Sequence, residues 1–164
     1  MLWLMSMSAQ AGKLAEGFRG LPFGPAAILE NPPQPSGCTQ GDAISAQSSG
    51  MKWVCVVEIN GVAVEVNYAV EEGYFYGVQI TPPANFPAAR DVFAALTAAY
   101  GPCEQSEAAS GPLPDCRWVD GSSVATWTYN RFTDKSAVSI FSRAVFSEVD
   151  AARKAKANAA AQGL

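Results

Sequence analysis

Trp53-Val54-Cys55-Val56-Val57-Glu58-Ile59-Asn60-Gly61-Val62-Ala63-Val64-Glu65-Val66-Asn67-Tyr68 decides how this chain folds. Two runs rich in β-branched and aromatic residues flank Asn-Gly, the dipeptide that most strongly marks a two-residue hairpin. Such a turn sets Ile59 opposite Val62. Trp53, Cys55, Val57 and Ile59 then share a face with Val62, Val64, Val66 and Tyr68. The second run alternates large apolar with small or polar residues, so pattern and turn select the same register. One apolar and one polar face imply an antiparallel sheet covered on a single side.

Beyond the hairpin, Glu71-Glu72-Gly73 reads as a second turn with both carboxylates solvated. Tyr74 to Thr81 forms a third strand, with Tyr74, Tyr76, Val78 and Ile80 on one face, and Pro82-Pro83 ends it. Asn85 or Phe86 caps a helix with Pro87 in its first turn. Val92, Phe93, Leu96, Ala99 and Tyr100 make its apolar stripe, and Gly101-Pro102 stops it. Cys116 to Val119, Val124 to Asn130 and Ala137 to Ser142 read as further strands. Asp120-Gly121-Ser122-Ser123 and Arg131-Phe132-Thr133-Asp134-Lys135 are the turns between them. The expected fold is α+β, an antiparallel β-meander sheet of five to six strands in the order β-β-β-α-β-β-β. One amphipathic helix packs on one face, anchored by Leu96. Glu71, as a turn residue, should tolerate replacement. No repeat longer than the hairpins is evident.

The chain has 164 residues, the size of one domain, with 49% hydrophobic and 16% charged residues, which excludes a disordered chain. Net charge is -4, without the dense basic surface that nucleic-acid binding needs. There is no histidine, which removes the commonest general base and zinc ligand. No apolar run is long enough for a membrane span.

Residues 1–11 end in Ala9-Gln10-Ala11, a small-x-small triplet followed by a polar switch at Gly12-Lys13. They read as a clipped signal peptide, against a short apolar arm packed on the domain. Residues 12–50 form an irregular N-terminal segment with one helical turn at 26–30 and a Pro-rich loop. Residues 51–143 carry the α+β domain, and 144–164 an Ala-rich tail. Cys38, Cys55, Cys103 and Cys116 contain no C-x-x-C pair, so a metal or redox motif is poorly supported. In an exported chain an even count points to two disulfides, with three connectivities open. The local pairs Cys38–Cys55 and Cys103–Cys116 are the expectation, each closing a loop of about 14–18 residues. The alternative is four buried thiols in a cytosolic core.

Phe18-Arg19-Gly20-Leu21-Pro22-Phe23-Gly24 resembles the F-x-G-(I/L/V)-x-(F/W)-G opening of small exported bacterial proteins of unknown function. In those proteins a β-meander and a helix ending in Tyr-Gly-Pro follow, as Tyr100-Gly101-Pro102 does here. The pattern covers residues 17–142 and departs from the family in the cysteine-bearing loop. The layout is similar to envelope domains of the BamE type, without a lipobox cysteine. The resemblance implies a location and a fold type, and no activity.

Chemistry is weakly signalled. No G-x-S-x-G elbow exists, and Lys135-Ser136 lacks a Ser–Lys context. Asp115, Asp120 and Asp134 lie near turns and would have to converge to serve as acid, base or metal ligand. Gly17 and Gly20 lack the strand, helix and Lys of a phosphate cradle. No catalytic residue, metal or cofactor is therefore named. Tyr74 with Tyr76, and Trp127 with Tyr129, share faces, and on an open face either pair makes a binding surface, otherwise core. The expectation is a periplasmic or secreted, non-enzymatic binding or envelope-assembly protein with a protein or glycan partner, no nucleic acid and no membrane span. The alternatives are a small exported hydrolase or metal enzyme using Asp and Glu, and an acidic inhibitor or immunity-type protein. Terminal sequencing of native material should find residues 1–11 absent; a chain beginning at Met1 would remove the exported reading.

Overall fold

The computed structural model describes residues 14, 17–19, 21–25, 38–41, 52–105 and 111–162. The leader expected at 1–11, the turn at 26–30 and most of the Pro-rich loop lie outside them. The described elements are β1 (Gly24–Pro25), β2 (Cys38–Gly41), β3 (Lys52–Ile59), β4 (Val62–Glu71), β5 (Tyr74–Thr81), α1 (Phe86–Tyr100), β6 (Glu104–Gln105), β7 (Cys116–Asp120), β8 (Ser123–Asn130), β9 (Lys135–Ser142) and α2 (Arg143–Gln162). Eight strands form one antiparallel sheet in the order β2-β3-β4-β5-β9-β8-β7-β6, and β1 pairs with the start of β5.

The α+β class holds, and the single-meander layout needs correction. The six long strands follow the expected β-β-β-α-β-β-β order, joined by the short strands β1, β2 and β6. They form two meanders, β3-β4-β5 and β7-β8-β9, that meet through β5 and β9. The helix carries the chain across to the far edge, and the second meander returns to β5. Each meander is followed by a helix, so the molecule repeats the order β-β-β-α. The Ala-rich segment from Ala144 on is helical as far as Gln162, within a second helix that packs on the sheet.

The opening hairpin forms in the expected register, with Ile59 opposite Val62 and Cys55 opposite Val66. Asn60 and Gly61 both take positive φ, 50° and 78°, the conformation that a type I′ turn demands and that Asn-Gly adopts at least cost. Asn85 caps α1, its side chain accepting from the Ala88 N–H at 2.9 Å, and the Gly101 N–H returns to the Thr97 carbonyl at 2.9 Å.

Helix α1 lies on the face that carries Val64, Val66, Val78, Ile80, Val138, Ile140, Ala125 and Trp127. It buries Ala89, Val92 and Leu96 there, and Phe93 stacks near Trp127 and Trp118 at 5.4 and 6.3 Å between ring centroids. Phe18 and Phe23 extend this core against Tyr68 and Phe75. The glycine- and aromatic-rich opening motif thus acts as an apolar plug at one end of the sheet.

Helix α2 packs on the opposite face, against β5, β8 and β9. A register shift between Ala69 and Val70 pairs Ala69 with Gly77 and Val70 with Phe75, leaving Tyr76 as the extra residue. This bulge turns Phe75 into the α1 core and Tyr76 to the other face, where its ring meets Phe146 of α2 at 5.6 Å. The expected common face for Tyr74, Tyr76, Val78 and Ile80 is therefore broken in the middle. Glu71, expected to be solvated, is 3% exposed and paired with Arg153 of α2 in a two-pronged contact.

Leu96→Ala should cost about 2–5 kcal/mol in denaturant unfolding, the range for emptying a packed leucine site. Val56→Ala, at a side chain 61% exposed on the uncovered sheet, should stay within about 0.5 kcal/mol. Equal costs would refute the helix-on-sheet core.

Candidate functional site

The four aromatics singled out in the sequence do not form one surface. Trp127 is fully buried beneath Phe93, so of the two readings open to it, binding surface or core, it takes the core. Tyr129 is half-buried on the same side, with its ring 6.1 Å from Phe86. Tyr76 is half-buried under α2, and Tyr74 is partly exposed at the start of β5.

One row crosses the sheet through paired positions. Cys55, Val66, Ile80, Val138, Trp127 and Cys116 stand side by side on six neighbouring strands. All six are buried. Both ends of the row are disulfide cysteines. Cys116 is bonded to Cys103 with a Cα separation of 5.5 Å, and Cys55 is also disulfide-bonded, with Cys38 directly opposite it in backbone register. Among the described residues no cysteine is free. At the Cys103 end, Trp118 donates its indole N–H to the Gly101 carbonyl at 2.8 Å. The exit of α1 is thus tied to β7 by one covalent bond and one hydrogen bond within a few residues.

The acidic residues are used structurally. Asp115 accepts the Tyr129 N–H at 3.1 Å and Asp134 accepts its hydroxyl at 2.6 Å, while Asp120 pairs with Ser123 at the other end of the hairpin. Asp115 and Asp134 therefore both serve one tyrosine, and Asp120 stands at the opposite end of the β7–β8 pairing. No group of three or more Cys, Asp or Glu suited to a metal ion occurs among the described residues. Glu71 and Glu72 contact Arg153 and Lys156, a relation invisible in sequence because the partners lie 82 and 84 positions away.

The sequence reading passed over the β8–β9 turn as a mere connector. There Phe132 is 83% exposed, the most exposed large hydrophobic side chain among the described residues. Two hydrogen bonds hold the turn: Asn130 accepts from the Phe132 N–H through its side chain at 2.9 Å and from the Thr133 N–H through its carbonyl at 3.3 Å. The Arg131 guanidinium sits 4.7 Å from the Phe132 ring centre. A lone Phe in a five-residue turn is the only trace of this in the sequence. No protein-family model, curated protein or solved structure matches this chain.

Four tyrosine hydroxyls titrate above their ordinary value. Burial raises Tyr68, although the nearby Arg19 charge works against it. Burial also raises Tyr100, and raises Tyr76 with help from the Glu71 charge and opposition from Arg153. Tyr129 is raised mainly because its hydroxyl donates to the Asp134 carboxylate, a bond that only the neutral phenol can make. A raised folded value means the neutral form contributes stability that is complete below the unfolded value of about 10 and is lost as pH climbs through the folded values. Ultraviolet titration should show phenolate appearing late in the folded protein, and unfolding free energy should fall only above about pH 10. Ordinary titration of all tyrosines in the folded protein would contradict these environments.

Proposed function

We propose that the chain is an exported, periplasmic or secreted, non-enzymatic binding or envelope-assembly protein whose partner is a protein or a glycan. The observation that carries the reading is the Cys103–Cys116 bond at one edge of the sheet. Such bonds persist in oxidising compartments and are rare in the cytosol. The disulfide state of Cys55 adds support, and we assign Cys38 as its partner because the two face each other across β2 and β3. For binding, the support is the hydrogen-bonded turn that presents Phe132. An ordered aromatic loses little conformational freedom on docking, which makes it an efficient anchor. Tyr74, partly exposed, is a second contact point, whereas Tyr76 and Tyr129 are committed to internal packing.

The test is isolation of the native protein by cell fractionation, followed by peptide mapping without reduction and identification of what co-purifies. The protein should appear outside the cytosol, with Cys103 linked to Cys116 and Cys38 linked to Cys55, and its companion should be lost from Phe132→Ala. Recovery from the cytosol with free thiols would overturn the reading.

A further inference from the structure

We propose that α2 is a detachable strap: it lifts from the sheet, hinged at Ser142–Arg143, while the sheet and α1 stay folded. Its two ends are held by different means. At the start, strand β9 runs into the helix without a loop. The Arg143 N–H reaches the Ser122 carbonyl at 2.8 Å, its guanidinium reaches the Gly121 carbonyl at 3.4 Å, and the Ser142 hydroxyl accepts from the Val145 N–H at 3.4 Å. Further along, the hold is ionic and falls on the β4–β5 turn. Arg153 forks onto Glu71, and Lys156 meets Glu72 at 3.2 Å.

Between these points the apolar attachment is small. Val149 is the one fully buried residue of the helix, and Phe146 remains 42% exposed beside Tyr76. From Lys154 to Gln162 every side chain is exposed. The main core holds Val92 and Leu96 of α1 and no residue of α2, so it survives the helix leaving. Released, the helix keeps transient structure and frays rapidly, as an isolated 20-residue helix does, which opens its amides to exchange. It is Ala-rich, the strongest helix former, and Lys154 pairs with Asp150 one turn back at 2.7 Å. Opening also strands no charge: Glu71 ends its strand beside a turn and takes up water once Arg153 departs. What the strap uncovers is Tyr76, against which Phe146 packs, on the side of β5, β8 and β9 that α2 contacts.

Hydrogen exchange read by mass spectrometry on the full chain tests this. Amides of α2 should exchange through an opening that leaves β5, β9 and α1 protected. Glu71→Gln, which keeps size and removes charge, should speed exchange across residues 146–156 by roughly tenfold to a hundredfold, less than for a fully buried pair because Arg153 is partly exposed. Arg153→Lys should give a smaller rise, since an ammonium cannot fork. Should Glu71→Gln fail to fold, Arg153→Gln asks the same question from the more exposed partner. The proposal falls if α2 exchanges only together with β5 and β9, or if either uncharged variant speeds exchange equally in helix and sheet. None of these outcomes depends on compartment or partner.

Discussion

Four residue pairs, Gly77 with Phe141 through Ile80 with Val138, join β5 to β9 and make one sheet out of two. Joined, the two meanders offer a surface that α1 can span, with Val92 and Leu96 in the shared core and Phe93 against the tryptophans of the second meander. The joint leaves no room for a side chain on the β5 member of its first pair. A Cβ on Gly77 would stand 2.8 Å from the Ile140 carbonyl oxygen and 3.0 Å from the Phe141 Cβ. The register of this pairing also aligns Ile80 with Val138, and so connects the buried rows of the two halves into one.

Local and distant information separate cleanly in this chain. The Asn60-Gly61 hairpin, α1 with its Asn85 cap and Gly101 stop, and the Cys103–Cys116 bond were all legible, because each is specified within a few to about fifteen residues. The meeting of β5 and β9 was not. Alternation tells which face of a strand is apolar and says nothing about which strand lies beside it. The same limit hid the Glu71–Arg153 contact. An adjacent pair of acids before a glycine has every mark of a solvated turn, and its counter-charge lies in a segment whose composition suggests only a helix.

The misreading of Tyr76 has a different origin. Tyr74, Tyr76, Val78 and Ile80 are perfectly spaced for one face, and a bulge leaves no signature when both candidate residues are aromatic. Its consequence is nonetheless decisive for the surface. By placing Phe75 inward and Tyr76 outward, the bulge removes one tyrosine from the presumed binding pair and supplies α2 with its apolar seat. Trp127 is the converse case. Its pairing with Tyr129 at even spacing was legible, and only the path of α1 could show that their face is the covered one.

The positions of the cysteines follow from how the sheet ends. The strands beyond β3 and β7 are short, four residues in β2 and two in β6, so hydrogen bonding alone holds them weakly. Yet the buried row ends at Cys55 and Cys116, directly under those edges, where fraying would admit water to the core. Closing a loop of about 15 residues contributes roughly 3 kcal/mol, more than a two-residue ladder supplies by itself. At the β7 edge that bond is Cys103–Cys116, and at the other edge Cys55 is itself disulfide-bonded. Covalent closure is thus applied toward the margins, while at the β5–β9 centre the buried residues Val78, Ile80, Val138 and Ile140 hold the sheet by packing.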